Sequence, residues 1–177
     1  YDERFDRFED GLRIIAALLR TGRATHDGRR ERAAAARLEP RGPRPGGLPI
    51  MVGAHGPRMR RLTAELADRW NGGLATLDQA RAAMAGVDAA CAARGRDPAT
   101  LGRSVEVLVR TIAPDAGERP DPGELTGRPD EIAAALRRYA ELGIEEVQVQ
   151  LRPNAVAAVR AFGPVLAHLR GDLRSRR

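Results

Sequence analysis

The residues best suited to chemistry lie together in one short loop, the Gly53–Arg58 segment with the sequence GAHGPR. Its two glycines allow the backbone to come close to a ligand, and Pro57 suits the first position of a helix. A helix that begins there presents unpaired N–H groups and the positive end of its dipole to the loop. Arg58 adds a guanidinium that can donate charge-assisted hydrogen bonds. The pattern indicates a phosphate site, although the same glycines would also suit an ordinary βα turn.

Other candidate side chains are scattered. His55 is either a donor to that phosphate or an exposed turn residue, and Trp70, the only tryptophan, either flanks a ring-shaped ligand or fills the core. Glu106 and Arg110 share one face of a predicted strand and are expected to form an ion pair. The other two histidines lack the neighbours of a metal site, and no Ser/His/Asp set or paired-carboxylate signature occurs. The catalytic residues therefore remain unknown, and no metal is expected.

The elements that must position the loop alternate along the chain. Helices are predicted at about 2–19, 57–66, 77–94, 129–142 and 154–169, and strands at about 48–53, 69–74, 104–112 and 146–151. The Pro/Gly-rich segment 39–47 is predicted to be a loop, and no β-hairpin signal is visible. Alternating strands and helices predict an α/β fold with a parallel sheet. Four such strands are about half of a (β/α)8 barrel, which typically needs roughly 250 residues.

Composition narrows the class of protein. The 177 residues suffice for a single domain, and the net charge of +6 comes from arginine alone, since the chain has no lysine. The arginines are spread among acidic residues without interleaved aromatic rings, so nucleic acid is an unlikely partner. No apolar run is long enough for a membrane span, no signal peptide is visible, and the single cysteine excludes an internal disulfide. These features favour a cytoplasmic protein.

The start of the chain is unusual. Tyr1 opens directly into an amphipathic helix without a cap, with Phe5, Phe8 and Leu12 on one apolar face. We therefore expect the sequence to be a piece of a longer protein.

The ordered set of motifs resembles the C-terminal half of a luciferase-like monooxygenase, a family of flavin- and F420-dependent oxidoreductases built on a TIM barrel. The resemblance rests on an Arg/Glu-rich first helix, a short segment ending at Gly28, and a Pro-rich approach to a strand that ends in a GG-x-GPR-like loop. An ADGW-like step at 67–70 follows, and GRPDE at 127–131 leads to YAELGI at 139–144. The match covers nearly the whole chain.

The resemblance implies a fold, a cofactor and a set of contacts. The fold class is α/β, a partial (β/α)8 TIM barrel comprising about strands five to eight with their helices, and residues 1–177 form a single half-barrel domain. The cofactor is F420 or FMN, and the substrate is a small organic molecule. The implied phosphate contacts are Gly53, Ala54, His55, Gly56, Pro57 and Arg58, and Trp70 is implied to lie beside the flavin pocket.

Two departures from the family pattern affect this site. Ala54 replaces the usual second glycine of the loop, and Arg69 replaces the glycine of ADGW. The first half of the barrel, which supplies most ring and substrate contacts in the family, is also missing. We therefore expect a flavin- or F420-dependent oxidoreductase that is inactive as this fragment. The alternative is a non-catalytic half-barrel completed by a partner chain, and the two open sheet edges also make homo-oligomers a possibility.

Overall fold

A computed structural model of the chain describes residues 2–113, 119 and 121–175. Two sheets and five helices make up this described part. In chain order, the elements are α1 (Asp2–Thr21), β1 (Arg23–Asp27), β2 (Arg32–Arg37), β3 (Met51–Gly53), α2 (Pro57–Leu66), β4 (Arg69–Leu74), α3 (Leu77–Ala92), a 3-10 turn (Pro98–Thr100), β5 (Gly102–Arg110), α4 (Pro129–Glu141), β6 (Glu146–Arg152) and α5 (Val156–Ser175).

The larger sheet has four strands in the order β3-β4-β5-β6, and every neighbouring pair is parallel. This confirms the predicted α/β fold with a parallel sheet. Helices connect each strand to the next, as parallel pairing requires. One helix, α1, precedes β3 and another, α5, follows β6. Within the described residues, β3 and β6 are the two edges of this sheet.

One face of the sheet packs on the helices. Val105, Val107 and Val109 alternate along β5 and are almost completely buried, in one apolar cluster with Leu62 of α2 and Val87 of α3. The period of two places these valines on the same side of the strand. The hydrophobic core is therefore the layer between the sheet and its helices. The side chains at the intervening positions of β5 lie on the opposite face, which we call the inner face.

The smaller sheet corrects the expectation that no β-hairpin is present. β1 and β2 pair antiparallel, with an irregularity between Ala24 and His26 and a positive φ of 49° at Ala35. β2 consists only of arginine and alanine, and β1 has a single β-branched residue, Thr25, so both strands have low β propensity. The hairpin forms because it packs on α1: Ala24 is buried, and the carboxylate of Asp10 accepts hydrogen bonds from the turn.

Element boundaries differ from the sequence predictions at the strand ends. Strand β3 begins at Met51 rather than near Leu48, and residues 38–50 have no helix or strand, which includes the loop predicted at 39–47. Proline at 43, 45 and 49 removes the N–H groups that a longer strand would need. β5 lies two residues earlier than predicted, because it pairs with β4 from Gly102 onward.

Candidate functional site

The Gly53–Arg58 loop connects β3 to α2 at the carboxyl end of the parallel sheet, where ligands of such sheets bind. Gly56 is the N-cap residue of α2, with φ of −89° and ψ of 162°, and it provides no side-chain cap. Pro57 follows as the first helical residue, and the first turn holds no acidic side chain. Because the first N–H groups of a helix have no partner one turn earlier, this end of α2 is suited to an anion.

The two loop glycines face open space. A Cβ atom placed on Gly53 or on Gly56 would meet no other atom within 4 Å. By contrast, a Cβ on Gly28 would collide with the carboxylate of Asp10. Packing within the chain therefore explains the glycine at 28 but not those at 53 and 56. The space beside the loop fits a phosphate approached by backbone N–H groups.

The other loop residues are divided between the ligand side and the core. Ala54 is fully buried, and its N–H donates to the carbonyl oxygen of Asn71 over 3.3 Å. His55 is exposed, and its ring lies beside Gly73 at the end of β4, where an added Cβ would be 3.1 Å from the imidazole. The imidazole is thus placed at the carboxyl edge of the sheet, next to the proposed phosphate position.

Arg58 turns toward α1. Its guanidinium donates to Asp6 Oδ1 over 3.1 Å and lies 3.8 Å from the ring centroid of Phe5. The combination of an ion pair and a cation–π contact holds the start of α2 against α1. A phosphate at the loop would therefore meet the backbone N–H groups of α2 with the Arg58 guanidinium already engaged by Asp6.

Trp70 lies on the core side of the sheet rather than on the inner face. It is fully buried and lies in register with Arg103, whose guanidinium donates to Asp88 of α3 over 2.6 Å. Its indole Nε1 donates to the carbonyl oxygen of Ala54 over 3.0 Å. In this position Trp70 contacts the loop from the core side of the sheet.

Asn71 is a site residue that the sequence analysis did not single out. It follows Trp70 in β4 and therefore lies on the inner face, in register with Gly53. Its Oδ1 accepts from the N–H of Gly73 over 2.6 Å, and its own carbonyl oxygen binds Ala54. The sequence did contain a signal for Asn71. Side chains alternate between the two faces of a strand, so a tryptophan that faces the core is followed by a residue on the inner face.

The predicted ion pair between Glu106 and Arg110 is wrong. Arg110 Nε instead donates to Glu124 Oε2 over 3.1 Å, and both side chains are almost fully buried. Glu106 accepts from the amide of Gln150 on the neighbouring strand. Residues four apart on a strand are too far from each other to pair, since each residue advances about 3.3 Å.

A second polar cleft of about 450 Å³ lies between α1, the β1–β2 hairpin and the start of α2. Asp10 is its most buried acid and accepts from the N–H groups of Arg30 and Glu31 and from His26 Nε2. The Arg30 N–H and the His26 ring are the main causes that lower the pKa of Asp10 to about 2. Since these bonds attach the hairpin turn to α1, we assign the cluster to folding.

The described part of the chain shows neither a metal-ion cluster nor a membrane-spanning helix. In the ranges that the structure describes, no three His, Cys, Asp or Glu side chains form a group that could hold a metal ion. None of the helices described has the length and apolar character needed to cross a membrane.

Known structures share the fold. F420-dependent tetrahydromethanopterin reductase from Methanopyrus kandleri superposes with a TM-score of 0.76 at 13% identity, covering 95% of this chain and 63% of that one. An F420-dependent secondary alcohol dehydrogenase in complex with an F420-acetone adduct gives 0.74 at 14% identity, covering 95% and 62%. EDTA monooxygenase from Chelativorans sp. BNC1 gives 0.74 at 13% identity, covering 99% and 60%.

This chain therefore spans about three fifths of the length of these enzymes. At such low identity the likeness concerns the fold. No curated protein matches the sequence. The family assignment comes from the sequence model of the luciferase-like monooxygenases, which matches residues 1–119. Because this match covers more than half of the 177 residues, the chain belongs to the luciferase-like monooxygenase family.

Proposed function

We propose that this chain is the phosphate-binding part of a flavin- or F420-dependent oxidoreductase, in which hydride equivalents pass through the bound cofactor to or from a small organic substrate. The observation that carries the proposal is the open Gly53–Arg58 loop at the uncapped N-terminus of α2, in a chain of this family. The solved structures with the same fold include F420-dependent enzymes and a riboflavin lyase with modified FMN.

The geometry of the loop suggests a separate role for the cofactor and for each nearby residue. The flavin or deazaflavin ring, when bound, supplies the redox chemistry. The N–H groups at the start of α2 would hold the phosphate, with Gly53 and Gly56 allowing its close approach. Trp70 would fix the loop from the core side through the Ala54 carbonyl, and His55 would provide a further donor at the rim.

The four parallel strands form part of a (β/α)8 barrel in this proposal, about strands five to eight, as a single domain. The barrel's remaining strands would supply most of the ring and substrate contacts, so the chain by itself would bind the ring only weakly and would be inactive. The proposal includes a cytoplasmic location, as expected from the sequence.

A completed barrel from two polypeptides is the second candidate. Its supporting observation is an apolar groove of about 490 Å³ beside the edge strand β6, lined among others by Leu136, Val147, Phe162 and Leu166. A partner chain that covers this groove would complete the barrel without catalysis. A stable complex that contains no flavin-type cofactor would favour this candidate.

The test is cofactor binding by variants of Gly56. The backbone at this position is extended, so Asp and Asn fit equally well and both cap helices. Gly56→Asp places a carboxylate where the phosphate should bind, and we expect FMN or F420 affinity to fall at least about 10-fold, a cost of about 1.4 kcal/mol. Gly56→Asn is the matched neutral control and should lose much less.

Ligands that lack the phosphate serve as controls in this experiment. Riboflavin, and the deazaflavin chromophore without its phosphate, should bind the Asp variant as well as they bind the unaltered protein. Fluorescence quenching of each ligand on titration gives the affinities. If Gly56→Asp binds FMN and F420 as tightly as Gly56→Asn does, the phosphate assignment is wrong.

A further inference from the structure

The inner face of the large sheet carries a row of polar side chains that runs in register from the phosphate loop at the end of β3 to the amino-terminal parts of β5 and β6. Gly53, Asn71, Ser104 and Glu146 are neighbours in register across β3, β4, β5 and β6. Gln148 follows two residues after Glu146 on the same face. A ligand held by its phosphate at the loop and extended across the sheet would therefore meet Asn71 first.

Ser104 is the centre of this row. Its side chain is fully buried, and its Oγ accepts from Asn71 Nδ2 over 3.4 Å and from Gln148 Nε2 over 3.3 Å. Gln148 Nε2 also donates to Glu146 Oε1 over 3.0 Å. Together with the bond from Gly73 N–H to Asn71 Oδ1, these contacts fix the orientation of both amides. We refer to Asn71, Ser104 and Gln148 as the amide row.

The amide row is not what a barrel interior usually contains. Barrel interiors are filled mainly by branched apolar residues, and the core-facing side of β5 has this composition in Val105, Val107 and Val109. A face that is merely solvated would not need a buried hydroxyl that links amides from two other strands. Oriented amides are instead suited to a ligand with several hydroxyl groups, since each amide both donates and accepts.

We propose that Asn71 and Gln148, oriented by Ser104, bind the hydroxylated chain that joins the phosphate to the ring in FMN and in F420. The proposal rests on the proposed function, because it assumes the phosphate at the Gly53–Arg58 loop. Gly53 supports this path, since a Cβ there would meet nothing within 4 Å and Gly53 lies in register with Asn71. Asn71 and Gln148 would contact the cofactor, and Ser104 would act as a positioning residue.

The test compares flavins that differ in this chain. Riboflavin carries the hydroxylated chain without the phosphate, and lumiflavin carries neither. Gln148→Ala alters an exposed side chain and leaves the core intact. We expect it to weaken FMN and riboflavin binding about 3- to 10-fold, the value of one hydrogen bond, and to leave lumiflavin unchanged. The corresponding deazaflavins are titrated in parallel.

Asn71→Ala and Ser104→Ala should have the same selective effect. Thr100→Ala is a control for Ser104→Ala, because it removes a hydroxyl just before β5 that bonds to Arg96 and Asp97 and not to the inner face. A merely structural role of Ser104 would weaken all flavins equally and leave the ratio of riboflavin to lumiflavin affinity constant. A reduced ratio in Ser104→Ala therefore supports a positioning role.

The outcomes separate this inference from the proposed function. If none of the flavins or deazaflavins binds the unaltered protein, the proposed function fails and the inference fails with it. If they bind, but the three variants change the affinities for riboflavin and lumiflavin by the same factor, only the amide row assignment is overturned.

Discussion

The indole Nε1 of Trp70 donates a 3.0 Å hydrogen bond to the carbonyl oxygen of Ala54. This bond connects a fully buried ring in β4 to the loop that begins α2, so the core directly sets the position of the loop backbone. Because Ala54 is itself fully buried, its carbonyl oxygen has no access to water if the indole is removed. Trp70 and Ala54 therefore form one hydrogen-bonded unit, in which the ring lies in the core and the loop lies at the proposed phosphate position.

Trp70→Phe tests this unit. The substitution keeps an aromatic ring but leaves the Ala54 carbonyl without its donor, at a cost of about 1–3 kcal/mol in the free energy of unfolding. We also expect weaker FMN or F420 binding with unchanged riboflavin binding, because the loop would lose its support. Tyr139→Phe is a matched control, since the Tyr139 hydroxyl donates to the Ala75 carbonyl over 3.0 Å in another buried contact. Equal loss of phosphate-dependent affinity in both variants would contradict a specific role for Trp70.

Gly28 and Gly11 should respond oppositely to alanine. A Cβ at Gly28 would collide with the Asp10 carboxylate that holds the hairpin turn, whereas a Cβ at Gly11 in α1 would meet nothing within 4 Å. Gly28→Ala should lower the free energy of unfolding by about 1–3 kcal/mol. Gly11→Ala should raise it by about 0.5–1 kcal/mol, because alanine favours the helix. Urea unfolding followed by circular dichroism gives both values, and a neutral Gly28→Ala would show that the hairpin turn is not held as described.

Asp10 should make the stability depend on pH in acid. The pKa of its carboxyl is lowered to about 2, chiefly by the Arg30 N–H and the His26 ring. A lowered pKa in the folded state means that the stabilisation is fully present above the unfolded value of about 3.9 and is lost as the pH falls toward 2. The difference in urea midpoint between the unaltered protein and Asp10→Asn should be constant above pH 4 and shrink toward pH 2. A difference that stays constant down to pH 2 would contradict the assigned pKa.

The buried pair of Arg110 and Glu124 should be costly to break. Glu124→Gln removes the carboxylate charge that accepts from the buried Arg110 Nε, and we expect a loss of about 3–5 kcal/mol in the free energy of unfolding. The control is Arg81→Gln, which breaks an exposed pair with Asp78 and should cost less than about 1 kcal/mol. Similar losses in the two variants would argue that the Arg110–Glu124 pair is solvated.

The parts of the fold that were predictable are those with a strong local signal. The bounds of α2 and β4 agree with the prediction, because Pro57 begins the helix and the Trp-Asn-Gly-Gly step marks the strand. Gly143, with φ of 96°, ends the region of α4 as expected. The β1–β2 hairpin was not predictable from its low β propensity, because α1 and Asp10 stabilise it from outside its own sequence.

In the candidate site, too, only the features with a local sequence signal were predictable. The sequence singles out the loop because glycine and proline carry local meaning at 53, 56 and 57. The orientations of Arg58 and Trp70 depend on tertiary partners, namely Asp6 and Ala54, which no spacing along the chain reveals. Asn71 and Ser104 become recognisable only when the register of β4 and β5 is known.

The arrangement of one helix before β3 and another after β6 bears on how the proposed barrel would close. Among the described residues, four parallel strands are accompanied by five helices, whereas an eight-stranded barrel has places for only eight. If two copies closed a ring, α1 of one copy and α5 of the other would compete for the same position at each seam. In the proposed barrel, a polypeptide that closes the ring would bring four strands but only three helices, and this asymmetry would favour a complementary half over an identical one.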